Sequence, residues 1–129
     1  MSRGLIILFA LVAWAGCTNK LSGELVIDGE TFELDGCRSG QVYGFSGVEL
    51  RGTSGARLRL VQTPTGQGRA ILMAAGAADG VDLGECGPFS VSQQNSTIND
   101  VKNVEGAATL SCTGAGHTVK GTVAFANCH

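Results

Sequence analysis

The side chains able to do chemistry in this sequence are five cysteines, two histidines, nine Lys or Arg and eleven Asp or Glu. A metal centre needs closely spaced ligands, and Cys37, Cys86, Cys112, Cys128, His117 and His129 show neither a CxxC nor an HxxxH pattern. No metal is expected. His117 sits in a glycine-rich turn and His129 closes the sequence, so both read as exposed polar positions. Nucleophilic catalysis would need an activated Ser or Cys, and no GxSxG or related signature occurs. The carboxylate pairs Asp79 with Asp82 and Glu30 with Glu33 fall on turn and strand surface. Gly52-Thr53-Ser54-Gly55 and Gly114-Ala115-Gly116 lack the strand-to-helix setting and the following Lys that a phosphate cradle requires. Asn95, Asn99 and Asp100 offer oxygens to calcium, but a single acid is weak charge for a hard cation. The expectation is a protein that is not an enzyme and holds no cofactor.

Cysteine usage speaks instead of location. Arg3 precedes Leu5 to Ala15, eleven uncharged and mostly apolar residues, the outline of a secretory signal peptide with an apolar region of the usual ~7 to 15 residues. It is short of the roughly 20 residues of a membrane span. Trp14-Ala15-Gly16-Cys17 resembles the lipobox of bacterial lipoproteins, with Trp14 where that family usually carries Leu. The resemblance implies a cleaved leader at 1–16, a lipidated Cys17 opening a short tether at 17–22, and one domain at 23–129. Two or three acyl chains on Cys17 would hold the protein stably on a bilayer. Thr18 is not the aspartate of inner-membrane retention, so the same resemblance implies the outer membrane. Ala13-Trp14-Ala15 also fits ordinary signal peptidase, which would release a soluble chain starting at Gly16. Cysteine parity favours acylation. Exported compartments are oxidising, and a lipidated Cys17 leaves Cys37, Cys86, Cys112 and Cys128 to form two disulfides, whereas a free Cys17 leaves an odd thiol.

The elements that must carry these residues are short strands. There are 20 glycines in 129 residues, about twice the usual ~7%, and they bound runs rich in Val, Leu, Thr and Phe. No window sustains helical apolar spacing. The expected fold is all-β, an antiparallel sandwich or small barrel of about seven or eight short strands. Leu25-Val26-Ile27 and Glu30 to Leu34 flank Asp28-Gly29, a type I′ hairpin signal that sets Leu25 opposite Phe32 and Ile27 opposite Glu30. Val48 to Arg51 and Arg57 to Leu60 both alternate, and a three-residue loop Thr53-Ser54-Gly55 keeps their apolar residues on one face. Leu50 then pairs with Leu58, Val48 with Leu60, Glu49 with Arg59, and Arg51 with Arg57 in the open. Further strands are expected at 69–74, 88–94, 107–113 and 118–127, with Gln93 to Asn103 as the longest loop. In the last hairpin Cys112 faces Val119, which argues against a Cys112 to Cys128 bridge and leaves the pairing otherwise open. Phe32, Tyr43, Phe45, Phe89 and Phe125 make a thin aromatic core, which two disulfides at ~2 to 4 kcal/mol each would offset.

Arg51 and Arg57 are like charges side by side, unfavourable unless an anion or partner meets them. Ser54-Gly55-Ala56-Arg57 is similar to the Ser-Gly-Ala-Arg/Lys element of MliC-type lysozyme-inhibitor lipoproteins, small β-barrels that insert a Ser and a basic residue between acidic catalytic groups. The resemblance implies a partner-binding role for Ser54 and Arg57, with Arg51 and Arg59 beside them, through charge-assisted hydrogen bonds. The overall formal charge of −2 leaves no footprint for nucleic acid or anionic lipid. The expected function is a lipid-anchored, non-enzymatic structural or binding module of the cell envelope. Its expected partners are the membrane, through acyl chains, and an envelope or hydrolase protein. Inhibition of a lysozyme-like hydrolase through Ser54 to Arg57 is the alternative.

Overall fold

The computed structural model describes residues 18–98 and 101–129. The expectations for residues 1–17, Cys17 included, and for Asn99 and Asp100 lie outside the described residues. Asp28 and Gly29 both take positive φ, 54° and 79°, as a two-residue type I′ turn requires. They join β1 (Lys20–Ile27) to β2 (Glu30–Phe32), with Leu25 opposite Phe32 and Ile27 opposite Glu30 as expected. β1 begins at Lys20, so of the described residues of the tether expected at 17–22, Thr18 and Asn19 lie outside the sheet and residues 20–22 lie in it.

The chain bends at Glu33 into β3 (Leu34–Ser39), a strand not expected from the sequence. Asp35 and Gly36 dilute its apolar alternation, and a register shift between Leu34 and Gly36 interrupts its pairing with β4 (Gly47–Gly52). A 3₁₀ turn, Gly40–Tyr43, connects the two. β5 (Arg57–Gln62), β6 (Gln67–Met73), β7 (Val81–Ile98), β8 (Val101–Gly114) and β9 (His117–Cys128) then continue a meander in which each strand is antiparallel to the one before. β9 returns to pair with β1.

The nine strands stand in the order β2-β1-β9-β8-β7-β6-β5-β4-β3. The two edge strands are consecutive in the chain. One bent segment therefore lies between β1 and β4, and the sheet curls into a nearly closed barrel. In a barrel of this size inward side chains fill the interior: Val48, Leu50, Leu58, Leu60, Leu110, Val119 and Val123 are buried there, with Phe89 and Phe125 rings 6.1 Å apart. Tyr43 and Phe45 do not join this core and lie half-exposed on the outside.

The expected loop at 93–103 is corrected. β7 and β8 extend into it as far as Ile98 and Val101, with Thr97 opposite Lys102 and Ile98 opposite Val101. Its residues are too polar to show apolar alternation, yet backbone ladder bonds and a Gln94 side chain bonded to both Asn127 N and Asn127 Oδ1 hold it as sheet.

The seam between β1 and β3 is closed by other means. Lys20 is opposite Ala126, so β9 outruns the start of β1 and Cys128 reaches β3, where it is bridged to Cys37. Asn19 fills the same gap: its Oδ1 accepts from Cys37 N at 3.0 Å and its Nδ2 donates to Asn127 O at 2.8 Å. The second bridge, Cys86 to Cys112, joins neighbouring strands β7 and β8. All four cysteines pair as expected, and Cys112 opposite Val119 keeps it from Cys128. Every described strand, the core those strands bury and both bridges lie within residues 18–129, so these residues carry the ladders, packing and crosslinks that fold the barrel.

Candidate functional site

The β4–β5 hairpin has the three-residue loop Thr53-Ser54-Gly55, with Gly55 at φ 89° and its N–H donating to Gly52 O. The register sets Val48, Leu50, Leu58 and Leu60 into the core, so Glu49, Arg51, Arg57 and Arg59 must point outward. β3 adds Arg38 opposite Glu49. Arg38, Glu49 and Arg59 thus form a row across three strands spaced ~4.8 Å apart.

Glu49 is an outward-facing residue whose side chain is nevertheless 0% exposed. Its Oε1 accepts from Arg57 Nη1 at 3.4 Å and Arg59 Nε at 3.3 Å. Its Oε2 accepts from the Tyr43 hydroxyl at 2.7 Å, and Arg51 Nε stands 3.9 Å away. Arg38 Nη1 donates to the same Tyr43 oxygen at 3.5 Å, a contact that raises the Arg38 pKa above its ordinary value. The Arg59 guanidinium lies 4.1 Å over the Tyr43 ring, which stacks against Phe45, a cation–π arrangement that fixes its plane. Arg57 is held from the other side by Ala77 O, 2.6 Å from Nη2. A buried carboxylate is tolerated only when paired and hydrogen-bonded, and here the pairing is supplied several times over.

The Arg51 and Arg57 expectation is corrected in part. They are opposite one another, but Arg57 is only 22% exposed against 46% for Arg51, and Glu49 is the anion that relieves their repulsion. Ser54 stays at the exposed loop tip, its Oγ accepting from Ala56 N at 3.3 Å, apart from the guanidinium cluster. His129 is half-buried rather than exposed. Sequence patterning missed Arg38, Tyr43 and the burial of Glu49. The Cys37-Arg38-Ser39 alternation, with Ser39 capping the 3₁₀ turn, was the signal that could have found the first.

No protein-family model, curated protein or solved structure matches this chain. Its site is therefore read from its own geometry. Of the eight Lys and Arg among the described residues, four lie in this one patch, with Glu49 and Asp35 as the acids beside them. The net charge of −2, a sum over the whole chain, does not register that segregation. Each guanidinium carries five N–H donors, more than the contacts above consume. A shallow groove of about 430 Å³ runs beside Arg51 and Arg57, bounded by Asp35 and residues 76–78.

The barrel mouth, a cavity of about 380 Å³ floored by Ile27, Phe32 and Leu72, has the opposite charge. Its rim carries Asp28, Glu30 and Glu33, and their bonds are made locally: Asp28 to His117 Nδ1 at 2.7 Å and to Thr118 N at 2.9 Å, Glu33 to Thr53 at 3.2 Å. The His117 hydrogen bond, and then that from the Thr118 amide, hold the Asp28 carboxyl below its usual 3.8. A carboxyl lowered on folding stabilises the native state above its unfolded pKa, and that contribution is lost as pH falls through the lowered value. The Asp28→Asn variant is expected to melt below the wild type near pH 5 and to approach it near pH 2 (about one unit above and well below the usual carboxylate range). Parallel thermal melts at the two pH values check this. A gap that is the same at both would show that the ionised carboxyl contributes nothing.

Proposed function

We propose that this chain is a lipid-anchored, non-enzymatic β-barrel of the bacterial envelope whose work is binding, and that it binds an anionic group on the Arg38, Arg51, Arg57 and Arg59 face. The carrying observation is the surplus of oriented guanidinium around one buried carboxylate. Glu49 and the Tyr43 ring fix the arginines before any partner arrives, which lowers the ordering cost of binding. The exported location draws support from the two disulfides, which persist in oxidising compartments. The hydrolase-inhibitor alternative draws less support, because Arg57 is tied to Glu49 and Ala77 instead of projecting with Ser54.

Two measurements test the proposal. Mass spectrometry of the chain extracted from cell envelopes should find an acylated Cys17 at the amino terminus; an unmodified chain starting at Gly16 refutes the anchor. Titration with polyglutamate should shift the NMR side-chain Nε–H signals of Arg51 and Arg59. Arg69, paired with Asp82 at 2.8 Å outside the patch, should stay unmoved. Equal movement of Arg69 refutes a built site.

A further inference from the structure

Resting on that reading, we infer that the anion met by the arginine face is the lipid phosphate of the bilayer that holds the anchor, so that the wall of the barrel at β3–β5 is a second membrane contact. The tether decides this. Cys17 is two residues from Asn19, a reach of about 7 Å even fully extended. Asn19 is fastened to Cys37 N at 3.0 Å and to Asn127 O at 2.8 Å, and Arg38 is the next residue after Cys37. A membrane-held Cys17 therefore brings the bilayer surface to the β3 edge, and the row from Arg38 to Arg59 lies within about two strand spacings, roughly 10 Å, of that edge. Exposed Lys20 stands at the same end.

The charge pattern along the barrel points the same way. β1 runs eight residues from the tether to the Asp28 turn, about 25 Å at strand rise, so Asp28, Glu30 and Glu33 of the mouth are held off the bilayer while Arg38 and Arg59, in the row through Glu49, are kept nearer it; Arg51 and Arg57 pair beside Gly52 on the mouth side of that row. Asp35 shares the groove with Arg51 and Arg57 and Glu49 pairs with Arg59, which leaves Arg38, bonded to the Tyr43 hydroxyl, as the least compensated cation of the face. Arginine suits this ligand, because its planar fork pairs with phosphate oxygens two at a time. The anchor alone already confers residence. The face adds orientation, fixing which side of the barrel looks at lipid and turning the mouth outward.

The test uses residues 18–129 without the acyl chains, floated with vesicles of phosphatidylcholine alone or mixed with phosphatidylglycerol. The domain should rise only with the phosphatidylglycerol vesicles, and Arg38→Gln and Arg59→Gln should each lower that partition about fivefold, as loss of one cation near an anionic surface does. Lys120→Gln, the same change of net charge beside the mouth, opposite Val26 and far from the tether, should leave it unchanged. Equal losses for Lys120→Gln would overturn the assignment, as would flotation with phosphatidylcholine alone. Release from the vesicles by millimolar inorganic phosphate would make free phosphate the ligand and overturn the membrane contact. Binding to polyglutamate without binding to phosphatidylglycerol vesicles would also overturn it while leaving the anion-binding face intact. Binding to none of these probes removes both.

Discussion

Replacing Cys37 and Cys128 together by Ala is expected to destabilise the barrel by about 4–5 kcal/mol, against about 3–4 kcal/mol for the paired Cys86 and Cys112 replacement. The two bridges span 91 and 26 residues, and the unfolded chain loses more freedom when the longer loop is closed. The native state separates them further. Cys86 to Cys112 ties strands that are already neighbours in an unbroken ladder, whereas Cys37 to Cys128 crosses the seam where β1 has not yet begun. Without that bridge, Asn19 is left to close the seam at this end of the barrel. Urea unfolding should show the larger loss for the seam bridge, and hydrogen exchange should show β1 and β3 amides opening below the global transition. Equal losses, with β3 amides still protected, would show that the seam's hydrogen bonds suffice and that the bridge only shortens the unfolded chain's reach.

What could be read ahead of the structure follows from where side-chain alternation is the dominant constraint. In the β4–β5 hairpin, a two- or four-residue loop would have set Leu50 opposite Arg57 and mixed apolar with charged faces, so the register Leu50 to Leu58 was legible. The same holds for Leu25 opposite Phe32 across Asp28-Gly29. Strands whose pairing rests on backbone bonds left no such trace. β3 has Asp35 and Gly36 in its first half and serves the seam, and the hairpin arm is polar at every position from 94 to 97. The arginine face divides along the same line. Glu49, Arg51, Arg57 and Arg59 share a face because β4 and β5 alternate, which the sequence carries. That Arg38 joins them requires β3, and that Glu49 is dry requires Tyr43 to fold back across the strand from the 3₁₀ turn. Net charge, a sum over the chain, is blind to both.

The asymmetry of burial at this face makes the second large effect directional. Arg57→Gln combined with Arg59→Gln should cost about 3–5 kcal/mol, the range for stripping the partners from a buried charge, while Glu49→Gln should cost only about 1–2 kcal/mol, comparable with one buried hydrogen-bonded group. The carboxylate has no access to water, so losing both arginines leaves it with the Tyr43 hydroxyl and an Arg51 nitrogen 3.9 Å away. The guanidinium groups are 22% to 46% exposed and can be rehydrated when Glu49 is neutralised. Glu49→Gln also leaves only a neutral amide oxygen for the donors that Arg57 and Arg59 direct at Oε1. Its second consequence has the opposite sign: the less stable variant should bind polyglutamate more tightly, by a few-fold, since an internal competitor has been removed. Chemical denaturation of the two variants beside a polyglutamate titration measures both quantities on the same samples. If Glu49→Gln unfolded as easily as the double arginine variant, the carboxylate would be organising the face through more than its charge. If it also bound polyglutamate more weakly, Glu49 would be a positioning group that the anion needs, and not the anion's rival for the same donors.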